Sequence, residues 1–98
     1  MVKHIVMYRL KDRTQENADA LRDKFLSMKG KIDVLKDIDA GVDVLKSPRS
    51  FDVVLTCLFD SMEDMEVYKT HPVHIPVMEY VKSVVEVSHS VDYIYVQQ

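Results

Sequence analysis

Phe51-Asp52-Val53-Val54-Leu55-Thr56-Cys57-Leu58-Phe59 is the most apolar run of the chain, and its alternation decides the fold. Phe51, Val53, Leu55, Cys57 and Phe59 fall on one face, and Asp52, Val54, Thr56 and Leu58 on the other, as successive side chains of a strand do. One face is wholly apolar and the other half so, which makes this third strand the most apolar and puts its expected place at the centre of a sheet. Before it, Ile38 to Leu45 alternates again, and Lys46-Ser47-Pro48-Arg49-Ser50 has the composition and length of a turn between antiparallel neighbours. The second and third strands therefore read as a hairpin.

Farther out the period changes from two to about 3.6 and back. Val2 to Leu10 places Val2, His4, Val6, Tyr8 and Leu10 on one face and Lys3, Ile5, Met7 and Arg9 on the other, which makes it the first strand. Thr14 is placed to cap a first helix whose stripe is Ala18, Leu21, Phe25, Met28 and Ile32. Downstream, Ser61 is placed to cap a second helix, with Asp64 at its positive end and Met65 and Tyr68 on one face. Pro72 disfavours helical geometry at His71 yet suits a helix start. The second helix should thus break there and resume with Val73, Val77, Tyr80, Val81 and Val84 buried. Ser90 to Val96 closes the chain as a strand, with Val91, Tyr93 and Tyr95 opposite Asp92, Ile94 and Val96.

The order β-α-β-β-α-β is the α+β, ferredoxin-like arrangement: an antiparallel four-stranded sheet carrying both helices on one face, here as one domain over residues 1–98. Ile5, Met7, Val54, Leu58, Ile94 and Val96 are expected on the helix-free side, which leaves an apolar surface that needs a cover. A face-to-face homodimer supplies it. Such side chains at about 1.5 to 3 kcal/mol each would give roughly 10 kcal/mol of gross burial per subunit before association costs.

Composition narrows the function classes. The 98 residues are 47% hydrophobic and 30% charged, with Gly 2 and Pro 3, as in a compact folded domain. A net charge of −3, with 16 acids and 13 bases spread without blocks, lacks the basic stripe of a nucleic-acid binder. Cys57, the only cysteine, leaves no internal disulfide and suits a reducing compartment. The apolar run Ile5 to Tyr8 is too short for a signal peptide, and no segment reaches membrane-span length, so no membrane is expected and the cytoplasm is the expected location.

Tyr68-Lys69-Thr70-His71-Pro72-Val73-His74 gathers a phenol and two imidazoles at the helix junction, while His4 stands alone on the apolar face of the first strand. A polar group there must be hydrogen-bonded if buried. His74, Tyr68 and His4 are the candidate catalytic residues. Each also has a structural reading: His74 packed at a helix start against a backbone carbonyl, Tyr68 in the core with its hydroxyl satisfied, His71 serving the kink before Pro72. His71 and His74 lie three apart across the break, with no carboxylate or cysteine to complete a set, so no metal site is expected, and no cofactor is needed. Met28, Met65 and Met78 read as filling between helices and sheet, and Asp33, Asp37, Asp39 and Asp43 as solvated surface.

Lys-His-Ile-Val at 3–6, Phe-Asp-Val-Val-Leu at 51–55, Tyr68, His71-Pro72-Val73-His74 and the Val91-Asp92-Tyr93 ending together resemble the Dabb domain, the stress-responsive dimeric α/β-barrel family. The resemblance spans essentially the whole chain. It implies two such sheets paired back to back into a barrel, and a role in stress response. Members of that family include plant stress-induced proteins, bacterial domains without an assigned reaction, and a polyketide cyclase of the olivetolic acid type that performs an intramolecular aldol condensation. At the positions where that cyclase places its cavity-lining residues, this chain holds His4, Tyr68 and His74. Val53, Leu58, Ile75 and Met78 depart from its pocket-side residues, so the substrate is not carried over.

Aldol closure needs a base beside a carbonyl and a donor for the enolate oxygen, and histidine and tyrosine supply these. The resemblance implies His74 as base, Tyr68 as donor and His4 as orienter or relay. Two expectations therefore stand. One is a dimeric module with a small ligand-binding cavity under the helices, taking a hydrophobic or aromatic molecule and catalysing nothing. The other is a cofactor-free cyclase or lyase. An open cavity into which His74 and Tyr68 both face separates the second from a cavity filled by Tyr8, Phe25, Phe59 and Met78.

Overall fold

The computed structural model describes residues 1–96. Strand β1 spans Val2–Leu10, helix α1 Gln15–Leu26, β2 Asp37–Val42, β3 Val53–Phe59, α2 Met62–Lys69, α3 His74–Val84 and β4 Val85–Ile94. The sheet order is β2-β3-β1-β4, antiparallel throughout, with β3 and β1 inside as the apolar run at 51–59 requires. The fold is the ferredoxin-like arrangement with its second helix divided in two.

Both expected caps form. The Asn17 amide donates to Thr14 Oγ1 at 3.1 Å and the Asp64 amide to Ser61 Oγ at 3.2 Å, satisfying donors that a helix start leaves free. The break at Pro72 is held by His71, whose Nδ1 accepts from the Val73 amide at 3.0 Å while its carbonyl accepts from the His74 amide at 2.9 Å. His71 therefore serves the kink. Helix α1 ends at Leu26, earlier than its apolar stripe predicts. Met28 and Ile32 reach the core from the turn that follows, where Gly30 adopts φ 76°.

One face of β1 and β3 packs on the helices as Val6, Tyr8, Leu10, Val53, Leu55, Cys57 and Phe59, all buried. Tyr8 stacks on Phe25 with ring centroids 5.0 Å apart, and Phe59 on Tyr68 at 5.0 Å. The helices leave β4 bare on that side, since its residues from Glu86 onward are exposed on both faces. An open flank results.

Four expectations need correction. Strand β2 stops at Val42, and Val44 and Leu45 are solvent-exposed loop residues. Phe51 lies outside β3, and its ring meets His89 at 5.6 Å and the Arg9 guanidinium at 5.1 Å, on the helix-free side rather than in the core. Strand β4 begins at Val85, directly after α3, not at Ser90. Finally, Ile94 does not face the helix-free side. Its partner in the register is Val2, and His4 pairs with Asp92, so these residues share the helix face. Val96, assigned with Ile94, lies beyond the strand. The opposite set, Val87, His89, Val91 and Tyr93, pairs with Arg9, Met7, Ile5 and Lys3 on the helix-free face. A one-residue change of register moves every side chain across the sheet.

The helix-free face is apolar nonetheless. Ile5, Met7, Val54 and Leu58 lie there as expected, joined by Val87, Val91 and Tyr93, of which Met7, Val54, Val87, Val91 and Tyr93 are exposed.

Candidate active site

A cavity of about 550 Å³ opens between the helices and the sheet on the β4 flank, a volume suited to a small organic molecule. His4, Val6 and Tyr8 of β1 form its floor. Tyr68 of α2 and His74 and Met78 of α3 form the opposite wall. Ser88 and Ser90 of β4 line the open side. Val6, Phe25, Leu55 and Met78 give the cavity an apolar body, and its polar groups come from β1, β4, the helix junction and α3, where Glu79 and Lys82 also line it. Tyr8, Phe25 and Met78 wall the space rather than fill it, and Phe59 stays in the core against Tyr68.

The three residues singled out in the sequence converge here. His74 opens α3 and is 6% exposed. Its Nδ1 lies 3.0 Å from the Lys69 carbonyl. A carbonyl only accepts, so Nδ1 carries the proton and the neutral ring presents an unprotonated Nε2. Burial holds the His74 pKa below the usual histidine value, against the opposing pull of the Lys69 carbonyl, and the nearby charges of His4 and His71 push the same way as burial. The ring also stacks on Tyr68, with centroids 4.1 Å apart and planes at 42°. His74 thus fulfils its structural expectation of a carbonyl partner and still leaves a basic nitrogen at the cavity wall.

Tyr68 is 3% exposed, and its hydroxyl oxygen accepts from the Cys57 thiol at 3.9 Å. Burial raises the phenol's pKa, and the neighbouring Cys57 adds to it, so Tyr68 stays protonated. Burial likewise pushes the Cys57 thiol up to about 12, which makes it an inert core group. Because the thiol supplies the proton of that contact, the Tyr68 O–H itself remains available to another acceptor.

His4 is paired to a residue that sequence reasoning did not pick out. Its Nδ1 donates to the Asp92 Oδ1 of β4, across the same rung of the ladder on which His4 and Asp92 stand opposite each other. The carboxylate fixes the His4 tautomer and turns its Nε2 the other way, the arrangement by which a carboxylate orients an imidazole. The signal was in the register: with Val2 opposite Ile94, Asp92 must face His4.

Of the residues that depart from the cyclase, Ile75 and Met78 line this cavity. Val53 lies in the core, and Leu58, opposite Lys3, faces the helix-free side. Among the described residues no three of His, Cys, Asp and Glu gather closely enough to hold a metal ion, and no helix is long and apolar enough to cross a membrane.

Comparison with known proteins agrees with this architecture. The family profile described as the Stress responsive A/B Barrel Domain, Dabb, matches residues 2–95. No curated protein matches the sequence. Among solved structures, a dimeric protein of unknown function with a ferredoxin-like fold from Bacteroides fragilis is 25% identical, with a TM-score of 0.82 over 96% of this chain and 95% of that one. A dimeric ferredoxin-like protein from Thermobifida fusca superposes at 0.84 with 18% identity, over 96% of this chain and 90% of its own. The hydroxynitrile lyase of Passiflora edulis superposes at 0.81 with 19% identity, over 99% and 94%.

Proposed function

Because the chain belongs to the Dabb family of stress-responsive A/B barrel domains, we propose that it works as a homodimer, paired through its helix-free sheet faces, whose cavity binds a small, largely apolar molecule bearing a carbonyl oxygen. The exposed Met7, Val54, Val87, Val91 and Tyr93 supply the apolar face for pairing. The dimeric neighbours are consistent with that assembly. The cavity's apolar body with polar groups around it suits a ring or short chain that carries an oxygen function.

A second reading, cofactor-free carbonyl chemistry, is favoured by one observation: the His74 Nδ1–H is committed to the Lys69 carbonyl, so a neutral Nε2 is held at the cavity wall. In that reading Nε2 takes the proton from the carbon beside the ligand carbonyl, and the C–H electron pair moves to the carbonyl oxygen as an enolate. The Tyr68 O–H donates to that oxygen, and His4, held by Asp92, orients the ligand or relays the proton. For an intramolecular aldol the enolate carbon then adds to a second carbonyl, and the new alkoxide takes the proton back from His74. A neighbour is a hydroxynitrile lyase, but at 19% identity that likeness carries the fold alone, and the chemistry rests on the residues named here.

Proton-resolved NMR in deuterium oxide separates the readings. Acetophenone is incubated with the protein, and loss of its methyl protons is followed. Exchange above background that disappears in His74→Ala supports the base. Binding without exchange leaves a ligand-binding cavity, and no binding of acetophenone or related aromatic ketones and acids removes both readings.

A further inference from the structure

Tyr8 lies on the apolar face of β1, yet it carries a hydroxyl that the packing of that face does not use. It is 5% exposed, with its ring fixed against Phe25. Its neighbours on the helix face of the same strand, Val6 and Leu10, carry no polar atom. Among the described residues its hydroxyl makes no hydrogen bond, although buried phenols ordinarily find a partner. The hydroxyl is not sealed in the core either: among the described residues, the one buried side-chain nitrogen or oxygen atom left both enclosed and unpaired is Arg9 Nε. A phenol that is buried, unbonded and yet not enclosed must open onto space, and the cavity that Tyr8 lines is the one holding His4, Tyr68 and His74. Tyr68, His4 and His74 each have one hydrogen-bonding function engaged within the protein and a second left free, whereas the Tyr8 hydroxyl has no partner for either its proton or its lone pairs among the described residues.

We infer that Tyr8 is a ligand-binding residue of this cavity, its hydroxyl donating to an oxygen of the bound molecule and so selecting oxygenated ligands over hydrocarbons of the same shape. The inference rests on the cavity's being a ligand site, as proposed above. It deepens that reading by naming the group that reads the oxygen. Burial raises the phenol's pKa, with the nearby Cys57 adding to it, so the hydroxyl keeps the proton that it must donate. The ring's packing on Phe25 sets its direction in advance, which lowers the ordering cost of the bond. A binding group built to hydrogen-bond an oxygen also disfavours a ligand that lacks one, because its hydroxyl then stays unpaired.

The test compares acetophenone with isopropylbenzene, which replaces the carbonyl oxygen with a methyl group of similar size. Affinities are measured by NMR shift titration for the full-length protein, Tyr8→Phe and Tyr68→Phe. Tyr8→Phe keeps the ring and its contact with Phe25, and an unchanged amide spectrum away from the cavity confirms the fold. The wild-type protein should prefer acetophenone, and Tyr8→Phe should reduce that preference by about 3- to 10-fold, the worth of one neutral hydrogen bond. An unchanged preference in Tyr8→Phe overturns the assignment, whether or not Tyr68→Phe alters it. If the wild-type protein binds both molecules with no preference, Tyr8 reads no oxygen. If it binds neither, the ligand-site reading itself fails.

Discussion

Replacing Val91 with aspartate tests the face through which two copies are proposed to pair. Val91 stands opposite Ile5 on the helix-free side and is 55% exposed in the single subunit. Fully burying a valine is worth about 1.5 kcal/mol, so covering its remaining half contributes about 0.8 kcal/mol per subunit. A two-fold assembly loses that twice. The substitution also places one carboxylate per subunit in an apolar interface without a partner, at about 2 kcal/mol or more each. Together these weaken the dimer by about 6 kcal/mol, roughly 10⁴-fold in Kd. Sedimentation equilibrium at micromolar concentration should therefore show a dimer for the native chain and a monomer for Val91→Asp. Ile94→Asp is the decisive control. Ile94 faces the helix side and is 70% exposed, so its replacement should leave the dimer intact. A dimer that survives Val91→Asp and dissociates in Ile94→Asp would refute both the register argument and the proposed interface. A native chain that stays monomeric at all concentrations would refute the pairing outright.

Other outcomes follow from the site and its support. Burial lowers the folded-state pKa of His74, so below the ordinary histidine pKa near 6.5 the unfolded chain takes up a proton there that the folded chain resists. The stability from this group is present above that pH and is lost as the pH falls through it. Urea midpoints measured at about pH 7.5 and pH 5.5 should therefore drop on acidification, and drop less in His74→Gln. Asp92→Asn removes the carboxylate that fixes His4. Nitrogen-15 spectra should show the His4 ring leaving its Nδ1–H tautomer while His74, bonded to Lys69, keeps its own; parallel changes at both rings would contradict this. Phe25→Ala deletes a ring that is 1% exposed and braces Tyr8. It should cost about 3 to 5 kcal/mol in chemical denaturation, and a loss near 1 kcal/mol would mean that the wall collapses to fill the gap.

How far the sequence reaches can be seen element by element. Strand β1, the caps Thr14 and Ser61 and the break at Pro72 were legible because each rests on local chemistry: a clean alternation, an oxygen for a free amide, a ring that stops a helix. The start of β4 was not. Val84 ends α3 and Val85 begins β4 with no glycine, proline or polar cap between them, and valine fits both periods. Losing that boundary lost the register, and with it the face of Ile94, the cavity wall made by Ser88 and Ser90, and the pairing of Asp92 with His4 across 88 residues of chain. Phe51 misled for a similar reason, since the alternation continues past the point where the strand ends. Within the site, His4 was visible as a polar group on an apolar face, and Tyr68 and His74 as a phenol and an imidazole gathered at one helix junction in a motif that resembles the family's. Tyr8 was hidden because a tyrosine on an apolar face ordinarily marks a core.

The most direct measurement is a histidine-resolved NMR pH titration of the native chain, with and without acetophenone, beside His74→Ala. The account predicts a His74 resonance that titrates below the ordinary histidine range and shifts when acetophenone binds, with that binding weakened in His74→Ala. A His74 that titrates like a free histidine and ignores acetophenone would contradict a neutral, basic Nε2 at the wall of a working cavity.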